Sequence, residues 1–130
     1  MSGGANSRQV GGSHYSADLQ HWDLIERHGI GYLEGCATKY VTRHRKKAGL
    51  QDVQKAGHYV QKLLELYEEG VRLPRGVVPL AALQKFCAAN QLGAVEMGVV
   101  CQLCTWSSRE HLLAALKDIS DLELAYQPAE

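Results

Sequence analysis

Apolar residues recur at three- and four-residue spacing across residues 31–67, which predicts two amphipathic helices. The apolar positions of the first helix are Leu33, Cys36, Ala37, Tyr40 and Val41. Those of the second are Val53, Ala56, Val60, Leu63, Leu64 and Tyr67. A basic hinge, residues 46–50, joins the two helices, and Gly49 within it is expected to end the first helix in a left-handed conformation.

The polar positions of the same two helices form two stripes. Lys39 and Arg43, with Lys46 or Lys47, form a cationic stripe on the first helix. The second stripe consists of Asp52, Lys55, Tyr59 and Lys62. If the helices fold back as a hairpin, the stripes converge near the hinge and create a donor-rich pocket suited to phosphate oxygens. The alternative is the solvated face of two amphipathic helices. Asp52 also suits the start of a helix, where free N–H groups favour a carboxylate.

Polar composition at the start of the chain and prolines and glycine after residue 70 divide the sequence into three regions. Residues 1–9 are polar and predicted to be mobile, and residues 10–70 form the first helical region. Within it, a helix is predicted over residues 17–28, with Leu19, Trp22 and Ile25 turned inward. Prolines and glycine over residues 71–79 mark a boundary, so residues 71–130 form a C-terminal region.

The C-terminal region is predicted to be mostly helical. Pro79 suits the first turn of a helix running to about Asn90, with four inward positions, Leu80, Leu83, Phe86 and Cys87. Residues 92–105 are strongly apolar and predict a buried helix, with a strand at residues 99–101 as the alternative. A capping box at residues 107–110 opens a last helix. Its inward positions are Leu112, Leu113, Leu116, Ile119 and Leu122. Strand signals are scarce, so the fold class is all-α: a central helical hairpin with flanking helices and a mostly helical C-terminal region.

Length and charge restrict the function. A chain of 130 residues fits one domain, and its 14 basic and 14 acidic residues cancel. Any basic site must therefore be local, and nucleic acid is a disfavoured partner. No apolar run is long enough to span a bilayer, and the first ten residues lack a signal-peptide core. We therefore expect a cytoplasmic protein with no membrane partner and reduced cysteines.

Two motifs have metal-like spacing without a complete ligand set. Cys101 and Cys104 form a C-x-x-C pair, but only Cys87 and His111 lie nearby, whereas zinc needs four ligands. The alternative is buried thiols that act as small hydrophobes. Two acidic pairs, at residues 65–68 and 118–121, are similar to those that hold magnesium in all-α nucleotide pyrophosphatases, with solvated helix ends as the alternative. We assign no metal site. The sequence also has no Walker-type phosphate loop and no arrangement that predicts a nucleophilic triad.

One ordered pattern resembles a known family. It consists of Gly11-Gly12, His14-Tyr15, Gly31, Glu34-Gly35, Lys39-Tyr40, Arg43, Lys46-Lys47, Gly49, Asp52, Lys55-Ala56 and Tyr59. This pattern resembles the small phage-encoded family called SaV-like, which includes the nucleotide kinase of T7-type phages. The resemblance covers about residues 10–68, and residues 71–130 resemble no family that we can name.

The resemblance implies a nucleotide kinase that phosphorylates deoxynucleoside monophosphates from a triphosphate donor without a Walker loop. The catalytic residues carried over by position are Lys39, Arg43 and Asp52. Lys47 and Lys55 would join them in holding phosphates, and Gly12, His14 and Tyr15 would close over the ligand as an arm. Glu34 or Asp52 would orient a hydroxyl or a cationic partner, and Tyr40 or Tyr59 could stack on a base. We assign no cofactor beyond the Mg²⁺ that could accompany the nucleotide.

Two other functions use the same residues. A non-catalytic module would sequester a nucleotide, such as a host-defence signal, in the same basic pocket. An interaction protein would dock by its basic hinge and show salt-dependent nucleic-acid binding. In each case we expect a homo-oligomer, because a helix pair this small hides its apolar stripe better against copies of itself.

Overall fold

The computed structural model describes residues 20–127, and in this range the chain forms six α-helices and no strand. The helices are α1 (His21–Arg27), α2 (Tyr32–Arg43), α3 (Leu50–Glu68), α4 (Leu80–Ala89), α5 (Ala94–Leu103) and α6 (Arg109–Leu124). A single 3₁₀ turn, His44–Lys46, follows α2. The all-α prediction is confirmed, including the central hairpin of α2 and α3. No helix within residues 20–127 is long and apolar enough to cross a membrane.

Most of the core lies between two helical hairpins. Helices α2 and α3 pack against each other, α3 packs on α6, and α2 packs on α5. The buried face of the first hairpin consists of Ala37, Val41, Val53, Ala56, Val60 and Leu63. These side chains meet Val99, Leu103, Leu112 and Ile119 from α5 and α6. The three-and-four spacing of the apolar residues is therefore the reason why the polar faces of α2 and α3 remain outside.

A second apolar cluster joins α1, α4 and one side of α5. Leu24 and Ile25 of α1 pack with Leu83 and Phe86 of α4 and with Val100 of α5. Residues 99–101 lie within helix α5, Ala94–Leu103, so the strand alternative is wrong. Because α5 packs on α2 and α6 through Val99 and Leu103 and on this second cluster through Val100, it is apolar on nearly all sides.

Several predicted details are wrong. Trp22 is 51% exposed, because the short α1 buries Leu24 and Ile25 instead, and Leu80 is 66% exposed at the start of α4. Leu113 is also exposed, since Ala115 takes the inward position on α6. Leu19 lies outside the described residues.

Two helix boundaries also differ from the prediction. Helix α2 ends at Arg43, six residues before Gly49, because the chain tightens into the 3₁₀ turn around the buried His44. Gly49 does have a positive φ of 58°, but it directly precedes α3. The capping box is not formed: Ser108 precedes α6 without a side-chain cap, and the Ser107 N–H donates to Nδ1 of His111 at 3.0 Å.

Candidate functional site

Three cations surround one aromatic ring on the outer face of the hairpin. Lys39 Nζ lies 5.1 Å, Arg43 Cζ 4.7 Å and Lys55 Nζ 5.3 Å from the centroid of the Tyr40 ring. Tyr40 also stacks on Tyr59, with ring centroids 5.9 Å apart and an angle of 13° between the planes. We call these five residues the tyrosine–cation cluster.

The antiparallel hairpin creates this cluster. Lys39 lies four residues and Tyr40 three residues before Arg43 on α2, so both are neighbours of Arg43 on the helix surface, and Lys55 and Tyr59 are four residues apart on α3. The predicted convergence of the two polar stripes is therefore present for these five side chains. Asp52 balances the charge of Arg43, but no ion pair balances Lys39 or Lys55 among the described residues. Attraction to the tyrosine ring is worth only about 0.5–2 kcal/mol for each cation, so a bound anion would reduce the repulsion between the two lysines.

The buried carboxylate of Asp52 fixes the position of the Arg43 guanidinium. Arg43 donates from Nε and Nη2 to the two carboxylate oxygens at 3.2 and 3.1 Å, and the Ala48 N–H adds a hydrogen bond at 3.0 Å. The carboxylate is fully buried, while about a third of the Arg43 side chain is exposed. Burial acts to raise the pKa of Asp52, but the hydrogen bonds from Arg43 and Ala48 and the positive charges of Arg43 and Lys55 lower it below its usual value. Asp52 is thus placed to orient Arg43 rather than to contact a ligand.

A shallow groove of about 400 Å³ runs from the cluster along the hairpin. Its lining residues are Leu33, Tyr40, Lys55, His58, Tyr59 and Lys62. Charge is unevenly distributed along it. Lys62 lies 3.6 Å from Glu65, whereas neither Lys39 nor Lys55 has a carboxylate within ion-pair distance among residues 20–127. Uncompensated positive charge is therefore concentrated at the Tyr40 end.

Tyr32, with Cys36 beside it on α2, extends the aromatic surface away from the Tyr40 end of the groove. The Tyr32 ring meets the Tyr59 ring edge-on, with centroids 6.3 Å apart, and is 74% exposed. A hydrogen bond to Cys36 raises the pKa of Tyr32, and charge interaction with Cys36 together with burial raises that of Tyr59. Both phenols therefore remain protonated near neutral pH and can donate hydrogen bonds. Tyr32 is not among the site residues predicted from the sequence, although Tyr32, Cys36 and Tyr40 recur at four-residue spacing.

Other predicted site residues lie elsewhere. Glu34 is buried in the core and accepts a hydrogen bond from Nε1 of Trp106 at 2.8 Å. Lys47 lies in the exposed turn between α2 and α3. Gly12, His14 and Tyr15, the predicted arm, lie outside the described residues. Lys39, Tyr40, Arg43, Lys55 and Tyr59 come together in the cluster, with Asp52 beneath it.

A buried polar network supports the turn behind the cluster. Glu96 Oε2 accepts hydrogen bonds from Nε2 of His44 at 2.8 Å and from Nε of Arg45 at 2.9 Å. The other ring nitrogen of His44 bonds to the Tyr126 hydroxyl. Burial acts to raise the pKa of Glu96, but hydrogen bonds from His44 and Arg45 lower it below its usual value. No local pattern predicts this network, because Glu96 is 52 residues from His44.

The motifs with metal-like spacing do not form metal sites in the described range. Residues 20–127 contain no group of three or more His, Cys, Asp or Glu arranged to hold a metal ion. Burial raises the pKa of Cys104 to about 12 and that of Cys87 to about 11, which makes both thiols poor ligands and nucleophiles. In the acidic pairs, Glu68 bonds to Arg109 and Asp121 to Lys117.

Comparison with known proteins adds one similarity. Residues 10–61 match the model of a family described as a protein of unknown function, DUF3310. The match covers less than half of the chain but includes every residue of the tyrosine–cation cluster, as well as Asp52. No curated protein and no solved structure matches the chain. The family description carries no activity, so function must be argued from the site.

Proposed function

We propose that this protein binds a nucleotide by its phosphate at the tyrosine–cation cluster and acts as a deoxynucleoside monophosphate kinase. The supporting observation is the convergence of three cations within 5.3 Å of the Tyr40 ring centroid. Lysine and arginine together suit phosphate, because both donate charge-assisted hydrogen bonds to its oxygens. Each charge-assisted hydrogen bond is worth about 1.5–3 kcal/mol.

The kinase reaction itself is proposed from the resemblance to the SaV-like family. Phosphoryl transfer depends mainly on positioning and on neutralising charge, and both can come from a rigid group of cations. Arg43 is held by two hydrogen bonds to Asp52, so its guanidinium needs little reorganisation to receive a phosphate. A member of such a phage family would act in the cytoplasm of an infected cell.

One observation favours a second candidate, nucleotide sequestration without catalysis. A kinase commonly uses a carboxylate to accept the proton of the substrate. The two carboxylates assigned to orient a substrate group, Glu34 and Asp52, are both buried and engaged by Trp106 and Arg43. This arrangement supports binding without turnover as the second candidate.

The test combines turnover and binding. Purified protein is incubated with each deoxynucleoside monophosphate and a triphosphate donor with Mg²⁺, and products are separated by chromatography. Binding of the same monophosphates is measured by calorimetry. We expect diphosphate to form, and Lys39→Ala and Lys55→Ala each to weaken binding about tenfold or more, as loss of one charged hydrogen bond implies.

Lys85→Ala is the matched control, because Lys85 is an exposed lysine on α4, outside the groove. Its binding and turnover should equal those of the wild type. Binding without diphosphate would favour the sequestering module. Absence of binding to any of the four monophosphates would refute the nucleotide proposal.

A further inference from the structure

The groove has two chemically different ends. At the Tyr40 end, Lys39 and Lys55 carry positive charge with no carboxylate partner among the described residues. At the other end lies Leu33, and the neighbouring Tyr32 borders this end through its ring contact with the lining residue Tyr59, while the charge of Lys62 is partly balanced by Glu65. Such a gradient suits a ligand with an anionic group at one end and an uncharged planar group at the other.

Tyr40 and Tyr59 are poorly placed to receive a planar ring. Their rings lie nearly parallel with centroids 5.9 Å apart, and three cations surround the Tyr40 ring. Tyr32 differs from both. Its ring touches Tyr59 only through an edge contact and is 74% exposed, which leaves ring surface available to solvent.

The exposed ring of Tyr32 is nevertheless held in position. Its ring contacts that of Tyr59, and Tyr59 in turn is stacked on Tyr40. Helix α2 rises about 12 Å between Tyr32 and Tyr40, so the aromatic end lies two turns from the phosphate end. A large aromatic held so far out in solvent is a suitable stacking platform for a base.

We infer that Tyr32 is the base platform of the site: a nucleotide lies along the groove with its phosphate at the tyrosine–cation cluster and its base stacked on Tyr32. This inference rests on the proposed nucleotide binding and adds the direction of the ligand and the residue that recognises its planar ring. Stacking accepts any base, so the site should bind all four deoxynucleoside monophosphates and owe part of its affinity to the base.

The test compares ligands that differ only in the base. Affinities are measured for the four deoxynucleoside monophosphates and for 2-deoxyribose 5-phosphate, which keeps the sugar and phosphate. The variants are Tyr32→Leu, which removes the ring, and Tyr32→Phe, which keeps it, with Lys55→Ala as the phosphate-end variant. Because Tyr32 is mostly exposed, neither change at this position should unfold the protein, and thermal melting checks this.

We expect Tyr32→Leu to weaken monophosphate binding about tenfold, a stacking energy within the range for one base, and to leave 2-deoxyribose 5-phosphate unaffected. Tyr32→Phe should bind like the wild type, and Lys55→Ala should weaken every ligand. Unchanged monophosphate affinity in Tyr32→Leu would overturn the inference while leaving the proposed function intact. If the wild-type protein binds none of the monophosphates, the proposed function and this inference fail together.

Discussion

His21 is a half-buried imidazole beside the second apolar cluster. Its Nε2 lies 2.7 Å from Oγ1 of Thr38, and its ring lies near Phe86. The Thr38 hydroxyl donates to the backbone carbonyl of Glu34 at 2.8 Å, so Nε2 of a neutral His21 must be the protonated nitrogen that donates to Thr38. Burial, and then the charge of Lys39, lower the pKa of His21 from 6.5 to about 4.

This depressed pKa predicts a loss of stability in mild acid. The unfolded chain binds a proton at His21 near pH 6.5, whereas the folded protein does so only near pH 4, so the contribution is fully present above pH 6.5 and is lost as pH falls toward 4. The free energy of unfolding should fall by roughly 2–3 kcal/mol from this group between pH 7 and pH 4.5. Urea denaturation of wild type and His21→Gln at both pH values measures the difference, which the variant should lack.

His58→Gln controls for the removal of a histidine, because the His58 side chain is exposed. It should leave the wild-type change in stability between the two pH values intact. An identical pH profile for His21→Gln and the wild type would show that burial of this imidazole carries no such cost.

At the residue scale, the spacing of residues along the helices predicts which side chains are neighbours, but it does not predict which of the polar side chains are buried. Lys39, Arg43 and Lys55 were placed on facing polar stripes because three- and four-residue spacing follows directly from helix geometry. Asp52 was correctly placed at the start of α3. Its full burial under Arg43 depends on a chain reversal and on a contact nine residues away, which periodicity does not encode.

The segment between α3 and α4 shows how one element is tied to others by its backbone. The Gly76 N–H donates to the carbonyl of Gly29 at 3.2 Å, and the Val78 N–H to that of Cys104 at 3.0 Å. Arg75 lies over the Trp106 ring, 4.4 Å from its centroid. The prolines and glycine of this segment predict a non-helical connection. They do not predict these contacts, which fix the segment to the α1–α2 turn and to the end of α5.

Two glycines in neighbouring elements should respond oppositely to alanine. A Cβ on Gly76 would collide with the backbone carbonyl oxygen of His28, so the segment must move, and Gly76→Ala should destabilise by about 2 kcal/mol. A Cβ on Gly57, within α3, would make an ordinary contact at 3.5 Å with Cγ2 of Ile119. Gly57→Ala should therefore stabilise by about 0.5–1 kcal/mol, since alanine favours helix.

Chemical denaturation of the two variants measures both changes under the same conditions. Each substitution adds one methyl group, so the pair controls for the effect of added apolar surface. Changes of equal sign in the two variants would contradict the contact argument.

At the element scale, the apolar spacing predicts all six helices of the described range, and the predicted and observed helices differ at their ends. Helix α2 stops at Arg43 because His44 turns into the core, where it meets Glu96 from α5 and Tyr126 beyond α6. Those partners are distant in sequence, so the boundary could not be derived locally. Leu80 and Leu113 are predicted to face inward because they are apolar. Which face of a helix is buried, however, depends on the elements that pack against it.

At the scale of the whole molecule, the candidate site and its support come from different halves of the chain. The cluster and Asp52 lie within residues 10–61, the range that matches the family model. The buried face under the cluster, however, packs on α5 and α6, and Glu96 anchors the turn that joins α2 to α3. The boundary predicted near residue 70 therefore separates two stretches of sequence that share one core.

Sharing of the core predicts that residues 1–70 do not fold alone. Without α5 and α6, Val53, Ala56, Val60 and Leu63 would face solvent, and a helical hairpin of this length cannot bury enough apolar surface to offset its conformational entropy. The fragment should show partial helicity by circular dichroism, no cooperative urea transition and no nucleotide binding.

Adding residues 71–130 as a separate chain should restore the transition, because the missing contacts are non-covalent. Cooperative unfolding of fragment 1–70, at a concentration where light scattering reports a monomer, would mean that the hairpin is stable by itself and that the C-terminal half serves another purpose.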